Sequence, residues 1–363
     1  MAKKLMKGCE AIGEAAIRAG CKLFFGYPIT PQNEIPEYMS HRLPQVGGAF
    51  VQAESELAAS NMIYGAAACG ERVFTSSSSP GISLMQEAMS YIAASELPVV
   101  VVNIMRSGPG LGGILPTQSD YAQATKGGGH GDYRVLSLAP WSVQEAADLV
   151  ADAFDLADFY RTPVYVLGDG LIGQMMEPVE FPEDRKPLRP LPPKTWATTG
   201  WRGDRPRAVV NSLFLDPIKC EQQNAKLQAR YAQMRAEEVR SAYYGDEGDL
   251  DVLVVAYGTV ARVTLTAMED MKATGLKVGM LRPITVWPFP RDALAEAAER
   301  AKAILVAELS CGQMLEDVWL STASMRPVHF LGHQGGVLLA PEEVSAAIRD
   351  VAAGRSAEVR YAG

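Results

Sequence analysis

Apolar and polar positions along this chain follow two rhythms. Short apolar runs alternate with longer stretches whose apolar residues return at helical spacing. KGCEAIGEAAIRAG (7–20) has that spacing and ends on Gly20, a C-cap signal, so it predicts a helix. CKLFF predicts a short buried strand and GGAFVQ (47–52) a second. SELAASNMIYGAAACG is a helix of small residues ending on Gly70, and ERVFTSSS is a third strand. Ser79-Pro80 has the form of an N-cap followed by proline in the first helical position, with Ile82, Met85, Met89 and Ile92 as the apolar stripe behind it. LPVVVVNIM is a continuous β-branched run, the mark of a strand covered on both faces. RVLSLAP, a helix from about Val143 to Phe159, and TPVYVLGDG continue the alternation. Repeated strand–helix units predict a parallel sheet flanked by helices.

From about Pro178 the rhythm fails. EPVEFPEDRKPLRPLPPKTW is proline-rich and charged, which predicts a linker or a loop wrapping the surface. A charged helix follows, roughly Ile218 to Tyr243. The alternation then restarts with LDVLVVAYG, VARVTLTAMEDMKATG, LKVGMLRPI, DALAEAAERAKA, ILVAEL and PVHFLGH, and closes on the helix PEEVSAAIRDVAAG. There is no repeat of short period. The expected fold class is therefore α/β, with two domains of mainly parallel sheet: 1–178, a linker over 179–248, and 249–363.

Composition narrows the class of partner. The 363 residues are 48% hydrophobic, ample for a large core, and the formal net charge of −8 argues against nucleic acid or an anionic membrane as the main partner. No apolar run reaches membrane-spanning length, since LPVVVVNIM ends at Arg106. The N-terminal MAKKLMKGCEAIGEA has no apolar signal core, so the expected location is cytoplasmic. Cys9, Cys21, Cys69, Cys220 and Cys311 form no C-x-x-C pair. The expectation is no zinc, iron–sulfur or other metal site on this chain, and five cysteines acting as small buried hydrophobes.

In open parallel sheets, ligands bind in the loops after the carboxyl ends of the strands. Four loops of the first domain stand out there: GYPITPQ, QAESE, TSSSSPG and NIMRSGPGLGG. Each also has a plain structural reading. Thr30 can cap a helix that begins at Pro31. Glu54 and Glu56 can serve a helix macrodipole; two apart, they point in different directions, so burial of one leaves the other solvated. SSSSPG can be a polar turn, or can offer backbone N–H groups to an anion. Arg106 can pair with a carboxylate of a substrate or of the protein. Gly168-Asp169-Gly170 opens a magnesium–diphosphate motif, but the asparagine required some way downstream falls in PLPPKTW, which has none, so a tight turn is the better reading. His130 and Asp132 in GHGD form a polar loop with a possible proton carrier, while His41, His329 and His333 have no companions at metal-ligand spacing.

Taken together, GYPITP, QAESE, SSSSPGISLMQE, NIMRSGPGLGG, PTQSD and GGGHGD, with LRPITVWPFP and ELSCGQMLEDV later, resemble in order and interval the alpha-type subunit of the 2-oxoacid:ferredoxin oxidoreductases. The likeness is greatest to the branched-chain (2-oxoisovalerate) type, then to the 2-oxoglutarate type, and it covers nearly the whole chain. It implies a pyrimidine-type thiamine diphosphate domain followed by a transketolase C-terminal-like domain. It implies thiamine diphosphate shared with a beta-type subunit, and magnesium and 4Fe–4S clusters carried by partner subunits. Gamma-type and ferredoxin-like delta-type subunits, ferredoxin, coenzyme A and a 2-oxoacid complete the implied partners. The family's cofactor glutamate, counted back from Gly65, falls on Glu56, with Glu54 as competitor. Thr30 and Arg106 match active-site residues that orient the substrate carboxylate and polarise the carbonyl. Pro28, Ile29, Ser79 and Gly81 fall on cofactor-binding loops. The implied reaction is CoA-acylating oxidative decarboxylation with electrons passed to ferredoxin. Pyruvate, 2-oxoglutarate and aryl 2-oxoacids stay open as substrates. A non-redox thiamine enzyme subunit and a noncatalytic scaffold are the competing functions.

Overall fold

The computed structural model describes residues 3–322 and 325–359. The first two positions of the expected segment 1–178 and the last four of 249–363 lie outside the described residues. The chain opens with β1 (Lys4–Lys7) and α1 (Gly8–Arg18). It continues through β2 (Leu23–Gly26), α2 (Glu34–Gln45), β3 (Ala49–Gln52), α3 (Glu56–Ala68), β4 (Val73–Ser77), α4 (Ser79–Ala94) and β5 (Val99–Met105). Next come α5 (Tyr121–Lys126), β6 (Leu136–Leu138), α6 (Val143–Tyr160), β7 (Pro163–Asp169), α7 (Gly170–Gln174) and β8 (Met176–Val179). The second half holds α8 (Pro217–Glu237), β9 (Ser241–Gly245), β10 (Leu250–Val255), α9 (Gly258–Met271), β11 (Val278–Pro283) and β12 (Thr285–Trp287). It closes with α10 (Arg291–Glu299), β13 (Ala301–Glu308), α11 (Gln313–Thr322), β14 (Val328–Gly332) and α12 (Pro341–Ala352).

Two sheets organise these elements. The larger has seven strands in the order β12-β6-β7-β5-β4-β2-β3, and the smaller five in the order β14-β13-β10-β11-β9. All pairings within them are parallel except β12 on β6 and β9 on β11. The continuous apolar run of β5 is explained by its central place. Val100, Val102 and Ile104 enter one core, Val99, Val101 and Met105 the other, and all are buried. Successive strand side chains point to opposite faces, and each fully buried valine contributes roughly 1.5–3 kcal/mol. Gly20 and Gly70 follow their helices with φ of +86° and +85°, the left-handed conformation that glycine adopts without cost.

Several expectations are corrected. The charged helix α8 ends at Glu237, not near Tyr243; Ser241–Gly245 instead pairs antiparallel with β11, because an aromatic-rich segment at a sheet edge gains ladder hydrogen bonds that the exposed end of a helix lacks. The antiparallel ribbon of β1 on β8 has no forewarning in the periodicity. No helix starts at Pro31: α2 begins at Glu34 after Asn33, so Thr30 is not a cap. The residue before α4 is Ser78, and Ser79 is already helical. Of the five cysteines only Cys9 and Cys21 are buried; Cys69 and Cys311 are exposed and Cys220 is half-buried, since they stand at a helix end, in a turn and on the exposed linker helix. β12, from the second half, crosses to extend the larger sheet at β6.

The stretch between β8 and α8 is pinned to the surface by charge. Arg185 meets Asp152 and Asp155 (3.1 and 2.8 Å), and Lys194 meets Asp158 (2.6 Å), all three acids lying on α6. Among the described residues no helix is long and apolar enough to cross a membrane.

Candidate active site

The four loops singled out by their composition follow β2, β3, β4 and β5. These strands are contiguous in the order β5-β4-β2-β3 and run parallel, so their loops emerge side by side at one end of the sheet.

Glu56 is the first residue of α3, set by Ser55, whose hydroxyl accepts from Ala58 N (3.1 Å). Glu56 is 5% exposed, whereas Glu54 is exposed. Its carboxylate lies against the first turn of α4: a Cβ added to Gly81 would stand 2.5 Å from Glu56 Oε1 and 2.0 Å from Ser77 Oγ. Only glycine allows this approach. The carboxylate has no hydrogen-bond or ion-pair partner among the described residues. The nearby hydroxyls of Ser77 and Ser78 are also buried and unpartnered. Helix N-termini favour negative charge, and Glu56 stands in the first turn of α3 and against the first turn of α4.

Arg106, directly after β5, is 7% exposed. Its Nη1 donates to Thr30 O (2.9 Å) and its Nη2 to Leu111 O (3.2 Å), while Nε is buried without an acceptor. It pairs with no carboxylate among the described residues, so its charge is uncompensated. Thr30 is half-buried and its Oγ1 accepts from Asn33 Nδ2 at 3.4 Å; Pro28 is exposed and Ile29 half-buried beside it. A cleft of ≈ 420 Å³ opens next to Thr30, lined by Ile114, Leu115, Pro116 and Leu171 and by Glu34, which is paired with Lys7 (3.3 Å) and accepts from Gln174 Nε2 (2.9 Å).

Ser79 serves the framework. Its hydroxyl donates to Asp120 Oδ2 (2.6 Å) and accepts from Arg106 N (3.0 Å), tying α4 to the end of β5. Asn103 Nδ2 donates to the same Asp120 oxygen at 2.8 Å. Burial pushes Asp120 above the usual carboxylate range, against the pull of these two hydrogen bonds. Neither Asn103 nor Asp120 was singled out from the sequence. A lone asparagine near the end of the otherwise apolar LPVVVVNIM was the available signal.

The remaining candidates make no hydrogen bond to Glu56 or Arg106 among the described residues. Asp169 is buried and accepts from Leu171 N (2.9 Å) and Ile172 N (3.1 Å), so GDG is a capped turn into α7. Burial raises its pKa while these bonds hold it down. His130 is exposed, edge-on to Tyr91 of α4, and forms no hydrogen bond with Glu56, Thr30 or Arg106.

This is the architecture of a thiamine diphosphate enzyme subunit: two α/β units, with an unpartnered glutamate at the carboxyl end of the first sheet. The Glu56 carboxylate and the unpartnered hydroxyls of Ser77 and Ser78, set around the first turn of α4, are polar groups of the kind that hold the aminopyrimidine half of that cofactor. Comparison with known proteins is consistent. Residues 14–240 match the family model "Pyruvate flavodoxin/ferredoxin oxidoreductase, thiamine diP-bdg", and residues 250–344 match "Pyruvate:ferredoxin oxidoreductase core domain II". The chain is 47% identical to the ketoisovalerate oxidoreductase subunit VorB of Methanothermobacter marburgensis, over 97% of this chain and 99% of that protein. It is 36% identical to the 2-oxoglutarate synthase subunit KorA of Methanothermobacter thermautotrophicus, over 93% of this chain and 96% of the relative. Among solved structures, a 2-oxoglutarate:ferredoxin oxidoreductase from Magnetococcus marinus superposes with a TM-score of 0.87 at 27% identity, covering 97% of this chain and 65% of that one. A split-gene transketolase matches in fold alone, with a TM-score of 0.59 at 14% identity. The chain belongs to the 2-oxoacid:ferredoxin oxidoreductase family.

Proposed function

We propose that this chain is the alpha-type subunit of a CoA-acylating 2-oxoacid:ferredoxin oxidoreductase whose substrate is a branched-chain 2-oxoacid of the 2-oxoisovalerate type. The observation that carries this reading is a pair of buried, opposite charges with no counter-charge of their own. Glu56 and Arg106 stand at strand ends of one sheet, each needing a ligand.

Thiamine diphosphate, when bound, supplies the electron sink that decarboxylation of a 2-oxoacid requires. Glu56, the Gly81 backbone and the Pro28–Ile29 turn would hold its aminopyrimidine. At that ring Glu56 would hold and return a proton, and general acid–base action of this kind is worth about 10²–10⁴ in rate. Arg106 receives the substrate carboxylate. Its guanidinium is already aimed by two backbone carbonyls, so little orientation is lost on binding. Thr30, whose carbonyl anchors that arginine, orients the oxo group. Ser79 acts through Arg106, whose backbone it fixes.

We assign magnesium and the 4Fe–4S clusters to partners, a beta-type subunit with gamma-type and ferredoxin-like delta-type subunits. Asp169 is already spent as a helix cap, and the five cysteines stand far apart in the sequence. For the substrate, the walls Ile114, Leu115, Pro116 and Leu171 suit an apolar side chain. This favours 2-oxoisovalerate over 2-oxoglutarate.

The test is co-expression with a beta-type subunit and a panel of pyruvate, 2-oxoisovalerate, 2-oxoglutarate and phenylglyoxylate, followed by viologen reduction with coenzyme A. Activity is expected only in the assembled complex, with the highest kcat/KM for 2-oxoisovalerate. Preference for 2-oxoglutarate overturns the substrate, and turnover without reduction of an acceptor overturns the redox reading. Unchanged activity on Arg106→Ala returns the chain to a scaffold.

A further inference from the structure

The end of the larger sheet opposite Glu56 and Arg106 carries a second concavity, independent of the proposed reaction. Arg134 stands two residues before β6, which runs parallel to β7, so it lies at the amino ends of these strands. There a cleft of ≈ 630 Å³ opens between α5, the end of α8 and the turn from β12 into α10. Four cations line it: Lys126, Arg134, Arg235 and Arg291. In a chain of net charge −8 this is a local reversal of sign. Lys126 is paired with Asp317 at 2.6 Å. Arg134 is held by its Nη1, which donates to the carbonyls of Lys126 (3.2 Å) and Tyr133 (3.0 Å), so its position is set while its charge is not neutralised. Neither it, Arg235 nor Arg291 pairs with a carboxylate among the described residues. Asp292 is the remaining acid in the wall. α10 begins at Arg291 with Pro290 before it and no side-chain cap, so the positive end of its dipole adds to the same field. Trp287 and Phe289 supply aromatic surface.

Like charges gathered around a concave, partly apolar surface focus field lines and raise the local concentration of anions. The volume falls within the roughly 300–1,000 Å³ usual for small-molecule sites. We propose that this cleft binds a small phosphorylated molecule with an aromatic ring, of the nucleoside diphosphate class. Arg134, Arg235 and Arg291 take the phosphates, and Trp287 and Phe289 face the ring. Concavity favours this occupant over the acidic face of a protein, which would meet a protruding or flat surface. The cleft is built from all three parts of the chain: α5 and Arg134, the linker helix α8, and the β12–α10 turn. Occupancy therefore ties these parts together.

The experiment is titration of ADP into the purified complex by calorimetry in the presence of saturating coenzyme A, which fills any site where the cosubstrate's own diphosphate binds. Adenosine and inorganic phosphate serve as companions. Saturable ADP binding is expected, with no detectable binding of adenosine and weaker binding of phosphate. The exposed pair Arg235→Glu/Arg291→Glu should weaken ADP at least tenfold, and Arg235→Lys/Arg291→Lys should keep most of the affinity. A wild-type complex that does not bind ADP under these conditions overturns the proposal. So does a Glu variant whose affinity stays within twofold of wild type. If the Glu variant instead leaves ADP binding intact and slows only electron transfer to ferredoxin, the cleft is an acidic-protein dock and the nucleotide assignment falls.

Discussion

At the scale of single residues, the site turns on which acid the backbone buries. Glu54 and Glu56 are indistinguishable by residue type, and only the entry of α3 beneath α4 separates them. Glu56→Gln should lower kcat for viologen reduction by at least ~10²-fold, the range expected for loss of a general acid–base group. Glu54→Gln should stay within about twofold, since an exposed side chain makes no contact there that the chemistry uses. Equal losses in the two variants would reassign the glutamate. Gly81 makes a separate prediction. An added methyl would stand 2.5 Å from Glu56 Oε1 and 2.0 Å from Ser77 Oγ, closer than packing permits. Gly81→Ala should cost about 1–3 kcal/mol in thermal unfolding and raise the KM for thiamine diphosphate, because relief of the clash must push Glu56 aside. Retention of both properties would show that the wall is soft.

At the scale of elements, α8 has little apolar surface of its own, with only Leu227, Tyr231 and Met234 buried. It is held to the turn after α4 by Glu96, which receives Lys226 at 2.5 Å and also pairs with Arg230. Burial opposes the charge on Glu96, but hydrogen bonds from Lys226, Arg230 and Gln223 outweigh it and bring its pKa down to about 2. The folded state thus binds this proton less readily than the unfolded chain, whose glutamate keeps a value near 4.5. The stabilisation is complete above the unfolded value and is lost as the pH falls from there toward about 2. Glu96→Gln should cost ~1–3 kcal/mol in urea unfolding at neutral pH, a typical value for hydrogen bonds to a charged group. The gap from wild type should narrow on acidification below about pH 4.5. A gap independent of pH would mean that the charge is not what holds α8. The segment after α8 shows a limit of local patterning. Ser241–Gly245 reads as more helix in sequence, yet it becomes a strand because β11 offers it a partner.

At the scale of the whole molecule, the two halves are joined through PTQSD. Gln118 Nε2 donates to Tyr257 O and its Oε1 accepts from Leu309 N, both at 2.9 Å, while Thr117 Oγ1 donates to Leu309 O at 2.8 Å. Arg282 meets Glu145 with both Nη atoms at 2.6 and 2.7 Å, a second clamp between the halves. Gln118→Ala would leave the buried Leu309 N–H without its acceptor and Tyr257 O with Ala261 N as its one remaining donor, so a loss of roughly 1–3 kcal/mol in the free energy of urea unfolding is expected. Because Asp120 lies two residues on and holds Ser79, activity should fall with stability; unaltered stability would show that water replaces the amide. The halves should therefore unfold together, although periodicity presents them as separate.

Much of this architecture is legible in the chain alone. Strand and helix are coded over five to fifteen residues by the period of the apolar positions, so both α/β units and the order of the polar loops at the strand ends can be read directly. What a loop carries is local chemistry, and GYPITP, QAESE, SSSSPG and NIMR announce it. Which loops become neighbours depends on strand order, and β5-β4-β2-β3 is settled by packing of the sheet rather than by chain order. The same holds for the burial of Glu56, the passage of β12 to β6, the grip of Gln118 on residues 139 and 191 positions away, and the gathering of Arg134, Arg235 and Arg291 around one cleft. Each joins groups too distant in sequence for any local pattern to record, so only the tertiary structure decides them.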